Sequence, residues 1–175
     1  MRAADPMARR VFVASCAERL APLYGVVHPD DPGTAYVIES LELMWDFRLT
    51  PESFHDRADA LRGLPELAEV DDWVSDADTV GGYAAAAALL AAETIVTGTA
   101  KKAEECGGTV RAGWSLIGNE VPGSSYWDDE GARQVEVAEL LSRVDPRTVA
   151  AEIREADREI SRERLAAIRP TINLA

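Results

Sequence analysis

Apolar residues recur along this chain at three- and four-residue spacings, a period that predicts helices almost from end to end. Phe12, Cys16, Leu20 and Leu23 fall in register, with Val13 and Ala17 alongside, which predicts a first helix with one apolar stripe. Pro22 would clash with the carbonyl of Glu18, so that helix should kink or end between Leu20 and Pro22. Asp31 before Pro32 is a cap-plus-first-position signal for a second helix. Its stripe is Val37, Ile38, Leu41, Met44 and Trp45, with Glu39, Glu42 and Asp46 on the solvated side. Thr50-Pro51 repeats the signal, and Phe54, Ala58 and Leu61 mark a short third helix that stops between Gly63 and Pro65. Residues 66–80 then read as an acidic connection.

After Gly81-Gly82 the stretch from Tyr83 to Thr97 is apolar on nearly every side, which predicts a helix buried over most of its circumference. Thr97-Gly98-Thr99 is a tight turn, with Thr99 able to cap the next helix. That helix carries Ala103, Cys106, Val110, Trp114 and Ile117 in register, straight through Gly107, Gly108 and Gly113. Three interior glycines cost about 3 kcal/mol against alanine, and close helix approach is the simplest offset. A hairpin turning at Gly98 would set Ala88 near Gly108 and Tyr83 near Gly113. The alternative is that Gly107-Gly108 ends one helix and begins another.

Asn119 to Gly131 reads as a second long loop. Val135, Ala138 and Leu141 mark a helix that Asp145-Pro146 ends. Val149, Ile153, Ala156 and Ile160 mark the last, extended to Leu165 and Ile168, with surface pairs expected between Glu155 and Arg158 and between Glu159 and Arg162. No strand-like alternation occurs. The expectation is an all-α, single-domain orthogonal or antiparallel helical bundle of about six to seven helices around a central Ala-rich helix. The domain spans 8–175, with 1–7 a flexible tail.

Charge narrows the list of partners. The 175 residues hold 31 acids and 18 Lys or Arg, a formal net charge of −13 and a pI near 4.5. Nothing basic is left over to neutralise phosphate, which argues against nucleic acid as a direct ligand. An acidic surface favours a basic protein partner. Cys16 and Cys106 lack C-x-x-C spacing and read as reduced core thiols of a cytoplasmic protein. The Ala-rich stretch is short and bounded by polar residues, so no membrane span is expected.

Chemistry is sparse. Cys16 lies on the apolar stripe of the first helix, which suits a structural thiol better than a nucleophile. Glu18 and Arg19 are adjacent and point to different faces. Glu52-x-x-His55 is half of a di-iron helical motif, but the only other histidine, His28, sits in a loop without the second half. No phosphate-cradling glycine loop, H-E-x-x-H or G-x-S-x-G occurs. No catalytic residue, metal or cofactor is therefore assigned. Two loops combine aromatics with acids: Asp71, Asp72, Trp73, Asp76 and Asp78 in one; Tyr126, Trp127, Asp128, Asp129 and Glu130 in the other. Aromatic anchors ringed by acids suit a basic protein surface. This favours a non-catalytic interaction or regulatory protein, of the kind that masks a basic toxin. The alternative is a small-molecule binder or enzyme with a pocket lined by Glu18, Arg19, Tyr24, Trp45 and Asp46.

The segment SCAERLAPLY (residues 15–24) resembles the Cys-x-Glu-Arg-x-x-Pro-x-Tyr pattern of the YjaG-like bacterial proteins, a family of unassigned function. ESLELMWDF is similar to that family's second helix, and YAAAAALLAAETIVTG with AKKAEECGGTV to its central hairpin. ELLSRV and the charged helix before TINLA are similar to its C-terminal segment. The resemblance implies an all-α fold and no particular activity.

Overall fold

The computed structural model describes residues 5–67 and 76–170. They form α1 (Pro6–Leu20), a 3-10 turn (Ala21–Leu23), the one-turn α2 (Tyr24–Val27), α3 (Gly33–Met44), a 3-10 turn (Pro51–Phe54) leading into α4 (His55–Arg62), and a third 3-10 turn (Pro65–Leu67). The long helices α5 (Asp76–Thr97), α6 (Ala100–Glu120), α7 (Tyr126–Arg143) and α8 (Pro146–Ile168) follow. Among the described residues there is no strand. The all-α bundle expected from the periodicity is what the described residues form, with seven helices of two turns or more and one of a single turn.

Side-chain caps start α1, α6 and α8 but not α3, which begins at Gly33 with Pro32, not Asp31, at the cap position. Asp5 accepts from the backbone N–H groups of Met7 and Ala8, with Pro6 at the first helical position. The same Asp-Pro signal that was read at Asp31 thus starts α1 inside the expected tail, and residues 6 and 7 belong to the helix. Asp145 with Pro146 does likewise for α8. α5 begins at Asp76 and runs through Gly81-Gly82, earlier than the apolar run suggested.

Two helices share the centre. On α5, Ala84, Ala85, Ala87, Ala88, Ala91 and Ala92 are fully buried. α1 is buried on nearly every side from Ala8 to Leu20, and α3, α5, α6, α7 and α8 pack around it. The single apolar stripe expected for α1 is therefore incorrect, because Arg9, Arg10, Ser15, Glu18 and Arg19 are buried along with Cys16 and Leu20, while Phe12 is only half-buried. Arg10, Ser15, Glu18 and Arg19 lie inside with partners. Arg10 shows how this is done. Its guanidinium donates to the carbonyls of Leu43, Met44, Asp46 and Leu49 at 2.8–3.1 Å, closing the C-terminus of α3.

The hairpin of α5 and α6 forms as expected at its turn. Gly98 has φ +62, a left-handed conformation that glycine adopts without strain, and Thr99 caps α6. α6 is continuous through its three glycines, so the break at Gly107-Gly108 does not occur. A Cβ on Gly113 would stand 3.1 Å from Cβ of Tyr83 and 2.8 Å from Cδ2 of Leu20, which is the close approach the sequence suggested. Gly108 is different. It is exposed, with open space around it, and is not opposed by Ala88. The buried register of α6 runs through Ala103, Cys106, Gly107, Val110, Gly113, Trp114 and Ile117, which leaves position 108 outside.

α7 begins at Tyr126, so the second loop shrinks to residues 121–125 and its aromatics and acids are helical. The inward register of α7 is Glu130, Val137 and Leu141, while Val135 is 60% exposed. The stripe read from Val135 and Ala138 was displaced because Glu130 is an inward residue. On α8 the buried face is Ala150, Ile153, Asp157, Ser161, Arg164 and Ile168. Arg162 pairs with both Glu155 and Glu159 at 3.0 and 2.8 Å, while Arg158 reaches Glu18 of α1 instead of Glu155. Among the described residues one segment, Thr79–Thr97, is long and apolar enough to cross a membrane, but 61% of it is buried inside the fold, as in a core helix.

Candidate functional site

Polar chemistry concentrates where α1 meets α7 and α8. Arg19, with no exposed side-chain surface, donates Nη2 to Oε1 of Glu130 at 2.6 Å and Nε to Oε2 at 2.9 Å, a bidentate pair. Its Nη1 serves Ser15 at 2.7 Å and Asp157 at 2.9 Å. Arg164 donates Nη1 to Glu130 at 2.9 Å, Arg133 donates Nε to Asp157 at 2.9 Å, and Gln134 bridges Glu130 to the Gly107 carbonyl. Burial alone would push the Glu130 carboxyl up. The field of Arg19, its hydrogen bonds, and Arg164 reverse this and hold it below the usual glutamate range. Burial pushes the nearby Cys16 thiol up to about 12, against the pull of Arg19, so it is a poor nucleophile.

Glu18 points away to the next face of α1. It accepts from the Trp45 indole at 2.7 Å and from Arg158 at 2.9 Å, and lies 3.4 Å from Arg154. Arg154 and Arg158 both continue to Glu42. Tyr24 is elsewhere again, donating its hydroxyl to Glu66 at 2.9 Å beside the ring of His28. Burial, then Glu66, raises its pKa. Asp46 pairs with Arg48 at the surface. Glu18 and Trp45 are thus together, while Arg19, Tyr24 and Asp46 each face a different partner set. His55 is exposed at the start of α4, and His28 is wedged against Gly81.

The acidic-aromatic stretch stands at the N-terminus of α7. Trp127 is 45% exposed, and the Arg111 guanidinium lies 4.0 Å above its ring. Gly131 makes room for that guanidinium, since a Cβ there would stand 3.0 Å from it. Asp128 and Asp129 are exposed in the first helical turn, where the helix dipole favours acids. Asp129 accepts from Ser125 at 2.7 Å. Glu130, grouped with these acids by sequence, is instead fully buried. Asp71, Asp72 and Trp73 lie outside the described residues.

Surface clefts among the described residues include two. One, of about 400 Å³, lies between α7 and α8 and is lined by Tyr126, Asp129, Arg133, Ile160, Glu163, Arg164 and Ala167. The other, of about 750 Å³, lies between α3 and α4 around Tyr36, Glu39, Asp56 and Arg57. Neither is lined by Glu18, Arg19 or Trp45. Sequence reasoning missed Arg133, Asp157 and Arg164. The available signal was register, because Asp157, Ser161, Arg164 and Ile168 continue the helical row from Ile153. No family model, curated protein or solved structure matches the chain.

Proposed function

We propose that this is a non-catalytic interaction protein that binds a basic protein partner through the patch at the start of α7. Trp127 is its aromatic anchor, and Asp128 and Asp129 are its charges, with Asp71, Asp72 and Trp73 as a second acidic group. One observation carries the reading: many of the described cations are drawn inward or into pairs with acids, from Arg19 with Glu130 to Arg62 and Lys102 with Glu93. The net charge of −13 is therefore expressed at the surface, beside an indole left 45% exposed. Such a patch steers a cationic surface and gives it an apolar anchor. Glu18, Arg19 and Trp45 hold helices together, which makes them weaker candidates for a small-molecule pocket. On the YjaG-like resemblance the protein is a bacterial member of that family; its cysteine pattern supports action in the cytoplasm, and its acidic charge argues against nucleic acid as a direct ligand.

The test is affinity capture from cells expressing the tagged chain, followed by titration calorimetry with the purified captured protein. Asp71→Asn, Asp72→Asn, Asp128→Asn and Asp129→Asn together should abolish capture, and the wild-type affinity should fall steeply with added salt. Undiminished binding by the quadruple variant would overturn the reading.

A further inference from the structure

The cleft between α7 and α8 has walls of opposite sign. Its inner wall is cationic. Arg164 is 7% exposed, its guanidinium lies 4.7 Å from the Trp114 ring and 5.6 Å from the Tyr126 ring, and it donates only Nη1 to Glu130. Among the described residues, its Nε and Nη2 donate to no acceptor. Arg133 donates Nε to Asp157 and Nη1 to Glu136, which leaves its Nη2. Two fully buried carboxylates, Glu130 and Asp157, are thus shared by three guanidiniums, those of Arg19, Arg133 and Arg164. Glu136 is 67% exposed, and water screens its charge. The inner wall therefore keeps unused guanidinium donors. The rim is anionic, with Asp129 and Glu163 both exposed.

We propose that this cleft binds a small zwitterion of amino-acid type, its carboxylate inward on Arg133 and Arg164 and its ammonium outward at Asp129 and Glu163. Guanidinium donors suit a carboxylate, and the ring contacts hold Arg164 in place before the ligand arrives. Phosphate and other dianions fit poorly, because the rim acids and the net charge repel a ligand without a compensating cation. Tyr126, Ile160 and Ala167 supply apolar wall for a side chain. The volume of about 400 Å³ is in the range of small-molecule sites. The proposal shares Asp129 with the basic-partner reading but not Trp127, Asp128 or the 71–73 group, and amino-acid shifts and partner capture fail separately.

Backbone NMR titrations of the full chain with L-leucine, L-leucinamide and isocaproate test it, since the last two each lack one of the charges. L-leucine should give saturable shifts confined to residues 126–133 and 160–167, and each analogue should bind at least ~10-fold more weakly. Ala167→Phe fills the cleft from an exposed position outside the buried network. It should keep the melting temperature and lose the L-leucine shifts. Absence of saturable L-leucine binding, equal binding of L-leucinamide or isocaproate, or persistence of the shifts in Ala167→Phe would each overturn the proposal.

Discussion

α1 and α5 are both buried nearly all round, and they reach the centre by opposite means. α5 does so with small apolar residues. Ala84, Ala85, Ala88, Ala91 and Ala92 let neighbouring backbones come close and ask nothing of them chemically. α1 carries Arg9, Arg10, Glu18 and Arg19 into the same interior, and the chemistry of at least three of them is met from elsewhere in the chain: α3 and the residues after it for Arg10, Trp45 and α8 for Glu18, α7 and α8 for Arg19. A helix packed by smallness tolerates any neighbour of the right shape. A helix packed by charge accepts only the neighbour that brings the right partner, so α1 fixes where α7 and α8 must sit. Buried pairs are weak evidence for stability as such, but breaking one leaves a charge without its partner.

The largest effect should come from breaking that pairing. Arg19→Ala leaves Glu130 and Asp157 buried without the guanidinium they share, and should cost about 3–5 kcal/mol in urea unfolding. A loss below about 1 kcal/mol would mean that water replaces Arg19, and the contrast with α5 would fail.

Acid should expose the same difference. The Glu130 carboxyl is held below its ordinary range in the folded protein. Its stabilisation is therefore fully present above its unfolded value, about 4.3, and is lost as pH falls through the lowered folded value. Stability measured in acid should fall in wild type and fall less in Arg19→Gln, where the carboxyl no longer has its main cation. Parallel curves would show that acid acts elsewhere. α5 has no comparable term on its buried alanines, where the expected effect is steric. Ala88→Leu places a larger side chain at a site with no exposed surface and should cost about 1–3 kcal/mol. An unchanged midpoint would mean that the hairpin is loosely packed there.

The same contrast explains what could be read in advance. α5, its turn and the continuous α6 were legible because apolarity, Gly98 and Thr99 are local signals. So were the short α4, from Phe54, Ala58 and Leu61, and the stop at Pro22. The candidate site was not, because a buried Arg looks like a solvated one until its partner is known. Glu130 is the clearest case. It follows two exposed acids, Asp128 and Asp129, and only its register with Val137 and Leu141 sets it inside. Its partner Arg19 lies 111 residues away, a distance at which no spacing rule operates. The start of α7 at Tyr126 was hidden for a related reason, since Ser125 makes no side-chain capping bond that a local pattern would betray.

The smallest effect separates two glycines of one helix. Gly108 and Gly113 both lie inside α6, so alanine at either removes the same helix-propensity penalty, about 0.5–1 kcal/mol. They differ in what the new methyl meets. At Gly108 it meets nothing within 4 Å. At Gly113 it stands 2.8 Å from Cδ2 of Leu20 and 3.1 Å from Cβ of Tyr83. Leu20 has no exposed surface into which to retreat, and the Tyr83 atom is fixed to the backbone of α5. Gly108→Ala should therefore raise the melting temperature by about 2–4 °C per kcal/mol gained, whereas Gly113→Ala should lower it, because overpacking outweighs propensity. The gap between the two variants measures how tightly α1, α5 and α6 meet at that point. If both glycines accept alanine with the same gain, the approach of those helices is looser than 3 Å contacts allow, and the reason for a glycine at position 113 must be sought elsewhere.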